Sequence, residues 1–424
     1  MTLLAIFVAL LFLHSLFSGW LERTVVTAPI VFTAAGILIV LIAPHMRDLQ
    51  IDQPIVLHIA EIGLVLLLFT DASRTDLRVL KNIRNLPVRL LSVGMLLTIL
   101  LGGLAAIIVF PKLSIWEAGI LAAILAPTDA GLGQIIVNSP RVPMKIRQAL
   151  NVEAGLNDGL SVPFLLFFMA LAGSAEEAHL TLTRFIIEQL GYGALIGLGI
   201  GLVGGWLLGI ADRRKWMAHS AQQLGTVALP LLCLLASIAS DASMFIAAFV
   251  AGLAVQVGFK EAGQQSIEFA EEWGQLFNLA VFFIFGLFVA LGWSEFNLAH
   301  CLYAILSLTV VRMLPVAISL IGTHLSRPTV LFVGWFGPRG LASIVLGLVY
   351  LEEKLHHSGE ATIRLAVMMT VLISIFAHGF SALPGIELYA RKIISLPPTS
   401  PEVEDLQSQS APQDPAAFTS HHSL

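Results

Sequence analysis

The sequence predicts an all-α, polytopic membrane protein of about 13 transmembrane helices, and three observations predict it. The first is composition: of 424 residues, 57 % are hydrophobic and 12 % charged, with a mean hydropathy of +0.87. Soluble domains carry about 25 % charged residues, so a water-soluble globule of this size has too few polar groups to cover itself. The second is that the apolar residues fall in blocks of roughly 17–25, the length that crosses about 30 Å of hydrocarbon as helix. The third is the placement of Lys and Arg, which alternates from loop to loop.

Apolar blocks between polar breaks give thirteen spans: 2–21, 27–44, 53–70, 86–110, 115–138, 146–172, 182–210, 222–240, 242–259, 268–292, 297–322, 328–351 and 361–388. The first is read as a span and not a signal peptide, because Met1–Leu13 has no basic leader and no small-x-small cleavage site follows. Lys and Arg collect in cytoplasmic loops. With the C-terminus inside, the cytoplasmic loops hold Arg23, Arg74, Arg78, Lys81, Arg84, Arg89, Arg141, Lys145, Arg147, Arg213, Arg214, Lys215, Lys260, Arg327, Arg391 and Lys392. The outer loops hold Arg47, Lys112, Arg184, Lys354 and Arg364, a split of 16 against 5. Adding or dropping one span breaks this alternation over half the chain. The N-terminus is therefore outside and the C-terminus inside.

Polar residues at membrane depth cost ~2.5–3.5 kcal/mol each at a helix centre, and here they cluster. In the third span, Glu61 falls half-way through and Asp71 sits at the cytoplasmic mouth before Arg74, where the bland reading is a solvated loop charge. The fifth span contains Ala126-Pro127-Thr128-Asp129-Ala130-Gly131-Leu132-Gly133-Gln134. Pro127 removes a helix donor and clashes with the preceding turn, and a mid-span break is tolerated only where it is buried in protein or lines a watery cavity. The plain structural role for Thr128 or Asp129 is to cap the second half-helix. The sixth span opens with Asn151-Val-Glu153-Ala-Gly-Leu-Asn157-Asp158-Gly159. At about 100° per residue, Glu153 and Asn157 share a face while Asp158 lies about 140° round from Glu153. One face can hold an ion pair while the other presents a carboxylate to a cavity.

The seventh span contains Gly199-Ile-Gly201-Leu-Val-Gly204, which matches G-x-G-x-x-G, but that fingerprint has meaning only between a strand and a helix. Gly197, Gly201 and Gly205 instead give small-xxx-small spacing for close helix packing. In the eleventh span Arg312 needs a partner: Glu153 is the first choice, with Arg339 a rival for that carboxylate. The twelfth span carries Trp335-Phe336-Gly337-Pro338-Arg339-Gly340, a break resembling that of the fifth. Paired Gly/Pro-interrupted spans in two halves point to a transporter's binding site, and spans 4–6 and 11–13 then form matching bundles of opposite orientation. After Ser395 the composition turns to Pro, Ser, Gln and acid with no apolar period, so 396–424 reads as a disordered cytoplasmic tail. His421 and His422 within it read as a mobile end, not a metal site.

Several classes are excluded. A net charge of −5 with no basic stretch beyond Arg213-Arg214-Lys215 argues against nucleic acid. Cys233 and Cys301 sit singly inside spans, so there is no disulfide framework. The sequence has no G-x-x-x-x-G-K-[ST], no H-E-x-x-H and no G-x-S-x-G, and its twelve histidines show no ligand spacing, so no ATP-driven pump, no hydrolase and no cofactor are indicated.

Taken together, Thr128-Asp129 in a broken span, Glu153-x-x-x-Asn157-Asp158 in the next, Phe249-Val250-Ala251-Gly252-Leu253, Arg312 and Gly337-x-Arg339-Gly340 resemble the monovalent cation/proton antiporters. The resemblance is to the NhaP-type branch that includes the eukaryotic sodium/proton exchangers, and it covers nearly all of 1–395. It implies an inverted-repeat antiporter fold with two discontinuous helices crossing at Thr128-Asp129, and a cation or proton site at Asp158. Asp129, Thr128 and Asn157 join that site, with the monovalent cation at Asp158 and Asp129. Glu153 pairs with Arg312, and Pro127, Gly337, Arg339, Asp71 and Glu61 belong to the helix breaks and the pathway. The resemblance also implies a homodimer in which a core bundle (about 86–172 and 297–388) moves against a dimerisation bundle (about 1–70 and 182–292). Two positions depart from the pattern and bear on ion coordination. Ala154 stands where many relatives have serine, and Thr70 where an acid often stands, with Asp71 one position later.

The expected activity is exchange of Na⁺, or of Li⁺ or K⁺, for H⁺ across a plasma membrane, with a bacterial inner membrane favoured. Asn157, neutral where electrogenic relatives have a second acid, implies electroneutral exchange. The rival readings are a proton-coupled carrier of another small solute, which wants more unassigned polar groups in the membrane, and a gated cation channel, which fits paired broken spans less well.

Overall fold

The computed structural model describes residues 2–21, 24–43, 53–74, 85–173, 191–259, 264–352, 359–397 and 400–410, and among them there is helix and no strand. In chain order the helices are α1 (Thr2–Leu21), α2 (Ala28–Ile42), α3 (Gln53–Arg74), α4 (Asn85–Val109), α5 (Ile115–Ile124) and α6 (Ala130–Val137). They continue as α7 (Met144–Gly173), α8 (Gly193–Arg213), α9 (His219–Ile238), α10 (Met244–Val255), α11 (Gln264–Leu291) and α12 (Leu298–Ser319). The last are α13 (Arg327–Trp335), α14 (Leu341–Glu352), α15 (Glu360–Ile394) and α16 (Pro401–Ser410). Nine described helices are long and apolar enough to cross a membrane, and α2, α5, α10 and α14 are shorter apolar helices. Residues 182–190, the tail beyond Ser410 with His421 and His422, and the loop cations Arg23, Arg47, Arg78, Lys81, Arg84, Arg184, Lys260 and Lys354 lie outside the described residues.

Helix packing falls into two groups. In one, α2 and α3 pack on α11, and α3 also meets α10, which is joined by α8 and α9. Here glycine sets the distance between helices. Gly193, Gly197, Gly201, Gly205 and Gly209, one every fourth residue, form the buried stripe of α8. A Cβ on any of them would run into the α10 side, at the carbonyls of Ser243, Ala247, Ala251, Val255 and Gly258 in turn. The two backbones touch, as small-xxx-small spacing requires.

In the other group α4 packs on α5 and α12, α7 on α5 and α6, and α15 on α12 to α14. One turn of α4, Leu90–Gly94, is a π-helix. The α12 helix is interrupted at Thr309, whose ψ of −89° leaves the helical region three residues before Arg312. Ser114 and Glu117 form a capping box at the start of α5, and the second oxygen of the Glu117 carboxylate accepts the Gly359 N–H at 2.8 Å, joining the starts of α5 and α15. Contact between α14 and α3 joins the two groups.

The tail departs from the expected disorder. Pro401–Ser410 is a helix lying across the end of the second group. Glu402 Oε1 accepts the Ser326 N–H and the Thr329 hydroxyl, each at 2.7 Å, at the start of α13. Asp405 Oδ2 accepts the Lys145 N–H at 2.9 Å, at the start of α7. Val403 and Leu406 pack on the cluster containing Tyr389 and Ile393. Composition alone misses this order, because the segment is held by helix N-termini elsewhere in the chain. Burial pushes the Glu402 carboxyl up, but the hydrogen bonds from Ser326 and Thr329 outweigh it and hold the group below the usual carboxylate range.

Candidate functional site

The site is built where two helices are interrupted. The α5 helix ends at Ile124 and α6 begins at Ala130; α13 ends at Trp335 and α14 begins at Leu341. Each unwound stretch leaves N–H and C=O groups that need partners in a buried setting, and each supplies the other. The Asp129 N–H donates to Pro338 O at 2.8 Å. The Asp129 carboxylate caps two half-helices at once: Oδ1 accepts from Leu132 N at 3.0 Å and Oδ2 from Leu341 N at 2.5 Å. Gly340 is obligatory here, since a Cβ would overlap that carboxylate.

Arg339, 0 % exposed, sends one guanidinium nitrogen to the carbonyls of Ala126 and Pro127, both at 2.9 Å. A cation thus sits at the carbonyl end of α5, where the helix dipole is negative. The Arg339 N–H donates to Ser374 Oγ at 2.7 Å. His378, one turn further along α15, faces Ser374 through Nδ1 and the Trp335 carbonyl through Nε2 at 2.9 Å. Ser374 and His378 therefore hold both edges of the second break. The sequence reading passed over them, although two polar side chains four apart at membrane depth meet the same criterion that picked out α7.

The α7 helix presents its polar residues in three directions. Glu153 takes a bidentate pair with Arg312, at 2.5 and 3.0 Å, with the residues only 2 % and 4 % exposed. Gly337 lets the guanidinium in, since a Cβ there would collide with it. The rival, Arg339, goes to carbonyls instead. Asn157 reads Thr128: its oxygen accepts the Thr128 N–H at 3.2 Å and its amide donates to the Thr128 hydroxyl at 2.8 Å. Pro127 lies between these anchors, in the stretch whose carbonyls Arg339 holds. Asp158 points elsewhere. It is 7 % exposed, its Oδ1 makes no hydrogen bond, and it lines a cavity of about 270 Å³.

That cavity also reaches Asp71, Asp129, Asn278 and, at its mouth, the Arg74–Glu271 ion pair. Asp71 is inside α3 and faces α7, with its Cβ 3.8 Å from where a Cβ on Gly155 would stand, so it is a wall residue and not a loop charge. Glu61 is not brought to this cavity; ten residues earlier on α3, it lies about 15 Å along the helix. The polar side chains of the wall are mainly carboxylates and amides, whose oxygens suit a hard cation over a thiophilic metal.

The family model described as "Sodium/hydrogen exchanger, transmembrane" matches residues 5–385. The chain belongs to the sodium/hydrogen exchanger family. Members of this family are transporters, not enzymes. An Na⁺/H⁺ antiporter of Schizosaccharomyces pombe is 25 % identical over 335 residues, covering 71 % of this chain and 70 % of the relative. The K⁺/H⁺ antiporter NhaP of Alkalimonas amylolytica is 26 % identical over 297 residues, covering 68 % of this chain and 50 % of the relative. The fold is that of the sodium proton antiporter MjNhaP1 of Methanocaldococcus jannaschii, with a TM-score of 0.74 over 93 % of this chain and 99 % of that one, at 20 % identity. The resemblance to the NhaP-type branch thus rests on sequence and fold together.

Proposed function

We propose that this exchanger-family member trades a monovalent cation, Na⁺ first, for H⁺ by competition at Asp158. The observation that carries the reading is that Asp158 lines a cavity beside the crossed half-helices with its buried Oδ1 making no hydrogen bond, while Asp129 and Glu153 are tied to partners through both oxygens. A single carboxylate holds a proton or a cation but not both. Each ion therefore displaces the other, and the loaded, charge-compensated site crosses while the empty anion resists desolvation. Na⁺/H⁺ and K⁺/H⁺ antiporters among the relatives support the reaction class.

The finer statements follow the same reading. The group α4–α7 with α12–α15 carries the ion and moves against the group α1–α3 with α8–α11, giving alternating access in a homodimer. Thirteen spans put the N-terminus outside and α16 in the cytoplasm, so the cavity mouth at Arg74 and Glu271 faces the cytoplasm of a cell's plasma membrane. Asn157 is engaged with Thr128 and brings no second titrating group, which supports electroneutral exchange and a role in pH homeostasis.

The test is proton flux in proteoliposomes bearing a pH gradient, with Na⁺, Li⁺ or K⁺ added to wild type and to Asp158→Asn. Cation-triggered flux that disappears in the variant is expected. No response to any cation between pH 6 and 9 moves a proton-coupled solute carrier to first place, and currents far above carrier turnover indicate a channel.

A further inference from the structure

We propose that Asn278, on α11, supplies a neutral oxygen ligand to the cation at Asp158, and does so only while the cavity is open on this face. The proposal rests on the exchange reading and adds to it a ligand from the opposite helix group.

The argument begins with a shortage of oxygens around Asp158. Both Asp129 oxygens are occupied by backbone N–H groups of α6 and α14. The Asn157 oxygen accepts from Thr128 N, and the Thr128 hydroxyl accepts from the Asn157 amide. Both Glu153 oxygens go to Arg312. Ala154 offers no side-chain oxygen. A small cation that has shed its water needs several ligands, and α7 with its break supplies few that are uncommitted.

Across the cavity, α11 turns one polar face inward. Glu271, Gln275 and Asn278, spaced four and three apart, all line it. Glu271 is held at the mouth by Arg74, and Gln275 donates to it at 3.1 Å. Asn278 lies one turn deeper and is different. It is 8 % exposed, and its Oδ1 is buried with no hydrogen bond. A buried amide oxygen without a donor is unfavourable, and a hard cation is a ligand that satisfies such an oxygen.

Its position is fixed. A Cβ on Gly63 of α3 would collide with Phe277 and stand 3.6 Å from the Asn278 backbone nitrogen, so the two backbones are pressed together at this level. A Cβ on Gly131 would stand 3.5 Å from Asn278 Nδ2 and 3.1 Å from Asp129 Oδ1, which puts the amide directly across Gly131 from the crossing.

Because α11 packs with α2 and α3 whereas Asp158 belongs to α7, movement of one group against the other takes Asp158 away from Asn278. The ligand set is then larger on this face than on the other, and loss of the oxygen must act on one side of the membrane only.

The experiment measures Na⁺-dependent exchange by the full chain in vesicles of both orientations. In Asn278→Ala the Na⁺ KM on the cavity face is expected to rise about tenfold, with a smaller change in Vmax and a KM on the opposite face within about twofold of wild type. Asn278→Asp, which restores an oxygen, is expected to keep the cavity-face KM at or below wild type. Should the alanine variant not fold, Asn278→Ser serves, with the same one-sided rise expected. Equal shifts on both faces, or a fall in Vmax with KM unchanged, overturn the proposal and leave Asn278 a packing residue beside Gly131. A wild type that shows no Na⁺ response overturns the exchange reading instead, so the two failures are separable.

Discussion

Glu153 and Asp158 are carboxylates five residues apart on α7, both buried, and they have opposite fates. One is closed on both oxygens by Arg312; the other lines a cavity and has a buried Oδ1 that makes no hydrogen bond. Burial therefore does not separate structure from transport in this protein. The partner does. A paired charge fixes the register of α7 against α12, and an unpaired one is left to exchange ligands.

The contrast is most sharply broken at the pair. Glu153→Ala strands the Arg312 guanidinium, and thermal unfolding in detergent is expected to show a loss of about 3–5 kcal/mol. A double change of both partners to apolar residues of similar volume should recover much of it. Asp158→Asn makes the opposite case: exchange falls at least 100-fold, equivalent to about 2.7 kcal/mol, while the melting temperature stays or rises because no partner is lost. Equal destabilisation by both variants would erase the distinction.

A smaller effect belongs to the brace of the second break. His378→Ala removes one of two donors to the Trp335 carbonyl, which keeps the Gly337 N–H at 2.9 Å, so a stability loss of about 1 kcal/mol is expected, with a several-fold fall in Vmax. His378→Gln, which keeps a polar end, should recover part of both. The smallest concerns the rim. Glu402 is held below the usual carboxylate range, so its contribution is present at neutral pH and is lost as acid takes the pH down through its lowered pKa. Glu402→Gln is expected to cost about 0.5–1 kcal/mol at pH 7, with the gap to wild type closing in acid. Thermal melts across pH 3 to 7 read it directly.

Much of the architecture was legible because hydropathy and helix breakers act locally. The described helices other than α16 fall within or across the apolar blocks, and Pro127 and Pro338 lie in the unwound stretches. Partners were less legible. Glu153 had two candidate arginines in the sequence, and packing decides between them: Gly337 leaves room for the Arg312 guanidinium, while Arg339 goes to the carbonyls of Ala126 and Pro127. Nothing local says that both Asp129 oxygens are spent on capping, that Asp71 faces α7 while Glu61 does not reach the cavity, or that Asn278 stands opposite Gly131. These are facts of packing between segments far apart in the chain. The helix α16 escaped for the same reason: its order depends on amides at residues 145 and 326, not on its own composition.

That helix also imposes a sequence of events on biosynthesis. A ribosome makes the start of α7 and of α13 long before it makes residues 402 and 405, so for most of translation the Lys145 and Ser326 amides lack these carboxylates and must be served by water. The bundle is closed at that rim only when the last described helix has been made. A nascent chain halted before Glu402 would carry every group of the ion site with its lower edge unsealed, so synthesis of α16, not insertion of the last span, closes this rim.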